Sequence, residues 1–214
     1  MIKVKQNKYD DDVFFDKYSN MSRSKNGLEG AGEWHELKKM LPNFKDKRVL
    51  DLGCGFGWHC RYAVENGARS VIGIDISQKM LSEAKSKTKC GNIEYICMPI
   101  EDIDFPEESF EVVISSLALH YIKSFEDVLD RVYKCLSTGG DFVFSVEHPI
   151  FTAQGPQDWY YDDKGNILHW PVDHYFTEGI RNAKFLGEEV IKYHRTLTTY
   201  LNSLIKIGFE ITGV

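Results

Sequence analysis

The 214-residue sequence has no hydrophobic run of transmembrane length, and its longest apolar stretches are strand-sized. Its first residues, MIKVKQNKYDDDVFFDKY, lack the apolar segment of a signal peptide, which argues against export and against a membrane association. Cysteine is scarce and scattered: Cys54, Cys60, Cys90, Cys97 and Cys135 are odd in number and form no Cys-x-x-Cys pair. That pattern argues against a disulfide framework or a metal site and points to a reducing, cytoplasmic setting. A basic stripe is missing too. With a net charge of −6 and dispersed Lys and Arg, the chain shows no footprint for nucleic acid, so a small-molecule partner is expected. No internal repeat or low-complexity tract occurs, and nothing in the sequence reports an oligomeric state. What remains, 43% hydrophobic and 27% charged residues, is the composition of one globular domain with a sizeable core.

Along the chain the first block, residues 1–46, reads as a helical cap. It holds DDDVFFDKYSNM, a glycine-rich break NGLEGAG, and EWHELKKML stopped by Pro42. Strands and helices then alternate through 47–148. RVLDL (48–52), SVIGIDI (70–76), NIEYICM (92–98), FEVVISSLAL (110–119) and DFVFSVEH (141–148) read as strands. Helices are expected over 58–67, over 77–88 with Ser77 as N-cap, and over 124–140 with a glycine pair at its end. This alternation implies an α/β fold with a doubly wound, mostly parallel, Rossmann-like sheet. Residues 149–195 break the rhythm as a small antiparallel insertion rich in Trp, Tyr, His and Asp. Its DDKGN turn joins DWYY to ILHW, and EEVIKYHRT is a further strand. Residues 196–214 supply a last helix (197–208) and a sixth strand, FEITGV.

The densest signal is VLDLGCGFGWHC (49–60), three glycines in five residues between a strand and a helix. Such a turn lets backbone approach a ligand that a Cβ would hold off. Its spacing, Gly53, Gly55 and Gly57 with Trp58 next, departs from the Gly-x-Gly-x-x-Gly of dinucleotide binding, which disfavours a nicotinamide-cofactor oxidoreductase. Asp51 ends the first strand, where it can face a ligand cation. Asp75 ends the second, where a carboxylate can accept both hydroxyls of a ribose. An acid for a cation, a bare backbone loop and an acid for a ribose suit an aminoacyl nucleoside.

Asp-x-Gly-x-Gly-x-Gly followed by Asp75 resembles the class I S-adenosylmethionine-dependent methyltransferase family, over roughly residues 45–148 and the final helix and strand. The resemblance implies S-adenosylmethionine as cofactor, S-adenosylhomocysteine as product, and methyl transfer to a small molecule; a non-catalytic binder of the cofactor is the alternative. It implies that Asp51, Gly53, Cys54, Gly55 and Gly57 wrap the methionine part and that Asp75 binds the ribose. Ile76 and Met80 would line one adenine face, with Ile100 and Glu101 at the adenine edge. Ser116 and Leu117, in SSLALHY, would sit beside the sulfur, and Tyr18, Met21 and Trp34 of the cap would close over the cofactor. The family sheet also carries an antiparallel seventh strand between the fifth and the sixth. This sequence stops at Val214, so a truncation before that strand is expected.

In-line displacement from a sulfonium needs mainly alignment and exclusion of water, with a general base only for an acceptor that must lose a proton. Ligands of open parallel sheets lie beyond the carboxyl ends of the strands. Two histidines fall there: His120 after the fourth strand and His148 after the fifth, with Pro149 fixing the chain behind it. These are the candidate catalytic residues. His169, His174 and His194, with Trp159, Tyr160, Tyr161 and Trp170, could wall the acceptor pocket.

Overall fold

The computed structural model describes residues 5–155 and 157–214. Five strands, β1 (Arg48–Leu52), β2 (Ser70–Asp75), β3 (Ile93–Cys97), β4 (Phe110–Ser116) and β5 (Leu136–Ser145), form a sheet of order β3-β2-β1-β4-β5 in which every pairing is parallel. The order reverses between β1 and β4, where an open α/β sheet leaves a crevice for a ligand. Strands buried on both faces read as near-continuous apolar runs, and in β1, Val49, Leu50 and Leu52 are all buried.

Two helical layers make them so. On one face α4 (Trp58–Glu65) and α5 (Gln78–Lys87) lay Cys60, Ala63, Leu81 and Ala84 against Val49, Val71 and Val112. On the other, α6 (Phe125–Cys135) presents Phe125, Val128, Leu129 and Val132 at helical spacing to Leu50, Leu52 and Val113. The Ser77 hydroxyl caps α5 by accepting from the Met80 amide at 3.1 Å. Before the sheet come α1 (Asp12–Ser19), α2 (Ser22–Lys25) and α3 (Trp34–Met40).

After β5 follow α7 (Pro149–Ala153), a small hairpin β6 (Tyr160–Tyr161) and β7 (Ile167–His169), a longer hairpin β8 (Gly179–Phe185) and β9 (Glu188–His194), and α8 (Leu197–Ile207). The cap and the long hairpin meet above the sheet. Phe14 packs with Ala183 and Val190 there, and Lys17 pairs with Glu188 at 3.1 Å. No helix among the described residues is long and apolar enough to cross a membrane.

Four expectations need correction. The helix expected to reach residue 140 ends at Cys135, and Leu136 already opens β5. The glycine pair belongs to a bulge instead: opposite β4, the register jumps from Phe110↔Leu136 to Val112↔Asp141, and Gly139 takes φ +72°. The fourth strand stops at Ser116, because Leu117 turns to φ +52° and a short 3₁₀ turn follows over Leu119–Tyr121. Residues 209–214 form no strand. Phe209 and Ile211 pack against the core, but the neighbour that a sixth strand would pair with, an antiparallel seventh, is not in the sheet. The insertion also holds α7 and β8, which its irregular composition concealed.

Candidate functional site

The glycine loop is hung from β2. The amides of Gly53 and Cys54 both donate to Ile74 O at 2.9 Å, and that of Gly55 donates to Asp75 Oδ2 at 2.9 Å. Gly53 and Gly55 hold φ of +74° and +53°, where a side chain strains the backbone. A Cβ on Gly53 would come within 2.6 Å of the Ala118 methyl, and one on Gly55 within 3.3 Å of Met80 Cε. The bare backbone therefore faces a crevice whose opposite wall is already close.

That crevice is a cavity of about 1110 Å³. Of the residues singled out from the sequence, it gathers Gly53, Gly55, Asp75, Ile76, Met80, Ile100, Glu101, Ser116, Leu117, Tyr18, Met21 and His120. Asp75 is held rigid, its Oδ1 accepting from the Ser77 amide at 2.9 Å while Oδ2 holds Gly55. Burial nonetheless pushes its carboxyl up to about 6.

The other members stand elsewhere. Asp51, 1% exposed, lies beneath the loop and does not line the cavity; its Oδ2 accepts from the Cys60 thiol at 3.1 Å and its Oδ1 has no partner among the described residues. Burial raises its carboxyl to about 7. Cys54 points its sulfur over Gly73, beside that of Cys60, in space that a Cβ at 73 would fill. Gly57 is the N-cap of α4, and a Cβ there would meet the Tyr95 hydroxyl at 2.2 Å.

Trp34 corrects an expectation. It is a core residue, its indole donating to Glu29 at 3.1 Å and its rings packed edge-on against Tyr62, and it does not reach the cavity. His148 corrects another. It lies outside the cavity, exposed, as the N-cap of α7, its Nδ1 accepting from the Ile150 amide at 3.2 Å. Pro149 at the first helical position explains the arrangement. His194 is buried in the insertion between Thr152 (2.8 Å) and the Tyr175 carbonyl (2.7 Å), and His169 stacks on Tyr160.

His120 is 2% exposed, and its Nδ1 accepts from the Glu147 amide at 3.5 Å, which leaves the proton on Nε2. Burial lowers its pKa to about 4, so the ring is neutral near pH 7. Around it lie residues that the sequence reading passed over: Tyr9, Arg23, Tyr121, Glu147, Phe185 and Tyr193. Glu147 bonds the buried ammonium of Lys192 at 2.6 Å, and Gln157 bridges both. Tyr121 stood in the quoted SSLALHY motif, so its neighbourhood to His120 was readable; the others meet only in three dimensions.

The set fits the cofactor that the sequence resemblance implies. A loop that admits backbone contact, a fixed carboxylate at the end of β2, and an unpartnered buried carboxylate oxygen beneath the loop suit a cationic aminoacyl nucleoside.

Comparison with known proteins agrees. Residues 50–144 match the family model described as a methyltransferase domain. The fold superimposes on a provisionally assigned S-adenosylmethionine-dependent methyltransferase from Listeria monocytogenes with a TM-score of 0.82 and 60% identity, covering 85% of each chain. A second such methyltransferase, from Mesorhizobium loti, gives 0.81 and 44%, covering 87% of this chain and 85% of its own. An uncharacterised protein of Haemophilus influenzae is 39% identical over 95% of this chain and 83% of its own.

Proposed function

The chain belongs to the class I S-adenosylmethionine-dependent methyltransferases, and from that premise we propose that its methyl acceptor is a small molecule seated between the N-terminal cap and the β8–β9 hairpin. The observation that carries this reading is the cavity beyond Leu117. Tyr9, His120, Tyr121, Phe185, Ile191 and Tyr193 wall it with mostly aromatic surface. At about 1110 Å³ the whole exceeds the ~300–1,000 Å³ usual for one small ligand. More distant relatives, among them a tRNA U34 carboxymethyltransferase from Hahella chejuensis and a malonyl-acyl-carrier-protein O-methyltransferase from Enterobacter lignolyticus, match this chain over under half of their own length. Their acceptors differ widely in size, so the acceptor is argued from this chain's own chamber. All five cysteines are free thiols, which supports the cytoplasm as its setting.

When bound, S-adenosylmethionine supplies a methyl group on a sulfonium, an electrophile with a good leaving group. The chain's residues do the placing. Gly53 and Gly55 take the methionine part, with Cys54 and Gly57 shaping the turn and Asp51 beneath it favouring positive charge. Asp75 offers its remaining lone pairs to the ribose. Ile76, Met80 and Ile100 flank the adenine, Glu101 stands at its edge, and Ser116 and Leu117 lie beside the sulfur. Tyr18 and Met21 exclude water from above.

His120 presents an Nε2–H to the acceptor and orients it. Because its imidazole is neutral and hard to protonate, it is a poor base, and burial keeps Tyr9 and Tyr121 protonated as well. The acceptor is therefore one that arrives nucleophilic: a carboxylate, a thiolate, or a free amine.

A screen with labelled methyl donor over fractionated cell extract tests this. Label is expected in the low-molecular-mass fraction, and label confined to RNA overturns the reading. With the acceptor found, His120→Asn should lower kcat by about tenfold or more while S-adenosylhomocysteine affinity holds. His148→Ala should leave both unchanged.

A further inference from the structure

The charged groups that bear most on His120 are Glu147, Lys192, Arg195 and Arg23. The three cations are already engaged. Arg195, 6% exposed, gives its guanidinium to the carbonyls of Ile122 and Lys123 at 2.5 and 2.8 Å. Arg23 pairs with Glu33 at 2.6 Å. Lys192 is 2% exposed and does not line the cavity. Its ammonium donates to Glu147 Oε1 at 2.6 Å and to Gln157 Oε1 at 2.9 Å, and it lies 5.6 and 6.0 Å from the ring centres of Phe185 and Tyr121.

Glu147 differs. It lines the cavity with its side chain 21% exposed, and besides Lys192 its carboxylate accepts from Gln157 Nε2, on Oε2 at 3.0 Å. A carboxylate can take about four hydrogen bonds, so acceptor capacity remains beyond these two among the described residues. Burial works against its ionisation, yet the neighbouring charge of Lys192 and the two hydrogen bonds hold its carboxyl below the usual value. The ion pair thus turns its negative end to the cavity and its positive end to the hairpin. Tyr9, Tyr121, Phe185 and Tyr193 share that side of the cavity, and aromatic rings attract cations.

We propose that the methyl acceptor is an amine and that Glu147, held by Lys192 and Gln157, is the residue that selects it. A carboxylate or thiolate brought here meets an ionised carboxylate in a chamber with little water, where like charges repel strongly. A neutral amine meets no such repulsion and gains on reaction. Its lone pair forms the C–N bond as the C–S bond breaks, the sulfur keeps the bonding pair, and the nitrogen becomes positive. Glu147 and the aromatic rings stabilise that charge as it develops, and the ammonium gives its proton to water after release. The assignment rests on a small-molecule acceptor occupying the chamber between the cap and the hairpin.

S-adenosylmethionine isotopically labelled on its methyl carbon, incubated with the full chain and fractionated cell extract, tests this by carbon NMR of the labelled product. The methyl signal is expected where a carbon bound to nitrogen resonates. A methyl on oxygen, sulfur or carbon overturns the proposal and leaves the small-molecule reading in place, whereas label confined to RNA strikes that reading itself. Lys192→Met/Glu147→Gln removes both charges together and strands neither. With the acceptor found, this variant should raise its KM by about tenfold or more. Calorimetry should show the purified product bound about tenfold more weakly, with S-adenosylhomocysteine affinity within about twofold of wild type. Lys192→Met alone keeps the carboxylate, so its KM should stay within about threefold of wild type. An unchanged KM in the double variant overturns the assignment of Glu147. An equal rise in both variants overturns it too, because the ion pair would then only brace the hairpin.

Discussion

The loop after β1 and the segment after β5 both close the carboxyl ends of strands, yet they are built from different materials. Between Gly53 and Gly57 the backbone itself does the work, through three glycines of positive φ and three amides tied to Ile74 and Asp75. Between Pro149 and His194 side chains do it: Ala183 and Val190 dock on Phe14, and Lys192 reaches Glu147. A site made of backbone can be made from very few residues. One made of side chains can be made in many ways, so its position can stay fixed while its composition drifts. This is why the loop side of the cavity is written in the sequence and the side walled by the hairpin is not.

The contrast can be broken from either side. Gly53→Ala should have the largest effect. The new methyl meets Ala118 at 2.6 Å from a backbone at φ +74°, so S-adenosylhomocysteine affinity should fall by about 100-fold or more. Calorimetry showing less than about threefold would mean that the loop is not limited by space.

Lys192→Met probes the other half. The ammonium is buried and holds Glu147, so its loss strands a carboxylate at a cost of about 3 kcal/mol. The melting temperature should drop by roughly 5–10 °C. Cofactor affinity should stay within about twofold, and Lys192→Met/Glu147→Leu should recover most of the loss. A cofactor affinity that collapses with Lys192 would show that the two halves are not separable.

The smallest effect concerns acidity. In the folded chain Asp51 titrates near 7 and Asp75 near 6, against about 4 for an unfolded aspartate. Between pH 4 and 7 the folded state therefore holds more protons than the unfolded one, and stability falls as pH rises through that window. Asp51→Asn should flatten the decline and raise the melting temperature of the ligand-free protein at pH 7.5 by a few degrees, about 2–5 °C. S-adenosylhomocysteine should do the reverse, binding more tightly at pH 8 than at pH 5.5 as the carboxylates ionise. An affinity flat across that range would sever both acids from the ligand.

Sequence patterns foretold the parallel sheet, the capping of α5 by Ser77 and most of the residues that gather on the loop side of the cavity, because each depends on local apolar runs and on residues with special backbone freedom. His148 misled because a histidine after a strand serves equally as catalyst or as cap, and only the helix opened by Pro149 decides between them. Trp34 misled because an aromatic near a cavity and an aromatic in a core look alike until its neighbours Tyr62 and Glu29 are placed. The strand β8 was hidden by its exposed, charged alternation, and α7 by its shortness. FEITGV has the composition of a strand, but strand is a relation to a neighbour rather than a property of six residues.

The tether between the loop and β2 bears on how such a protein could change its acceptor over time. Gly53, Cys54 and Gly55 take their positions from Ile74 and Asp75, and Asp75 is itself the group that would meet the ribose. Both ends of the nucleoside's seat are thus gauged from one strand. The cap is tied to the end of that strand, Asn7 donating to Ile76 O and Asp10 accepting from the Ser77 hydroxyl. The β8–β9 hairpin makes no hydrogen bond to the loop or to Asp75 among the described residues, so the hairpin is the part that can be remodelled for a new acceptor while the donor stays in calibration.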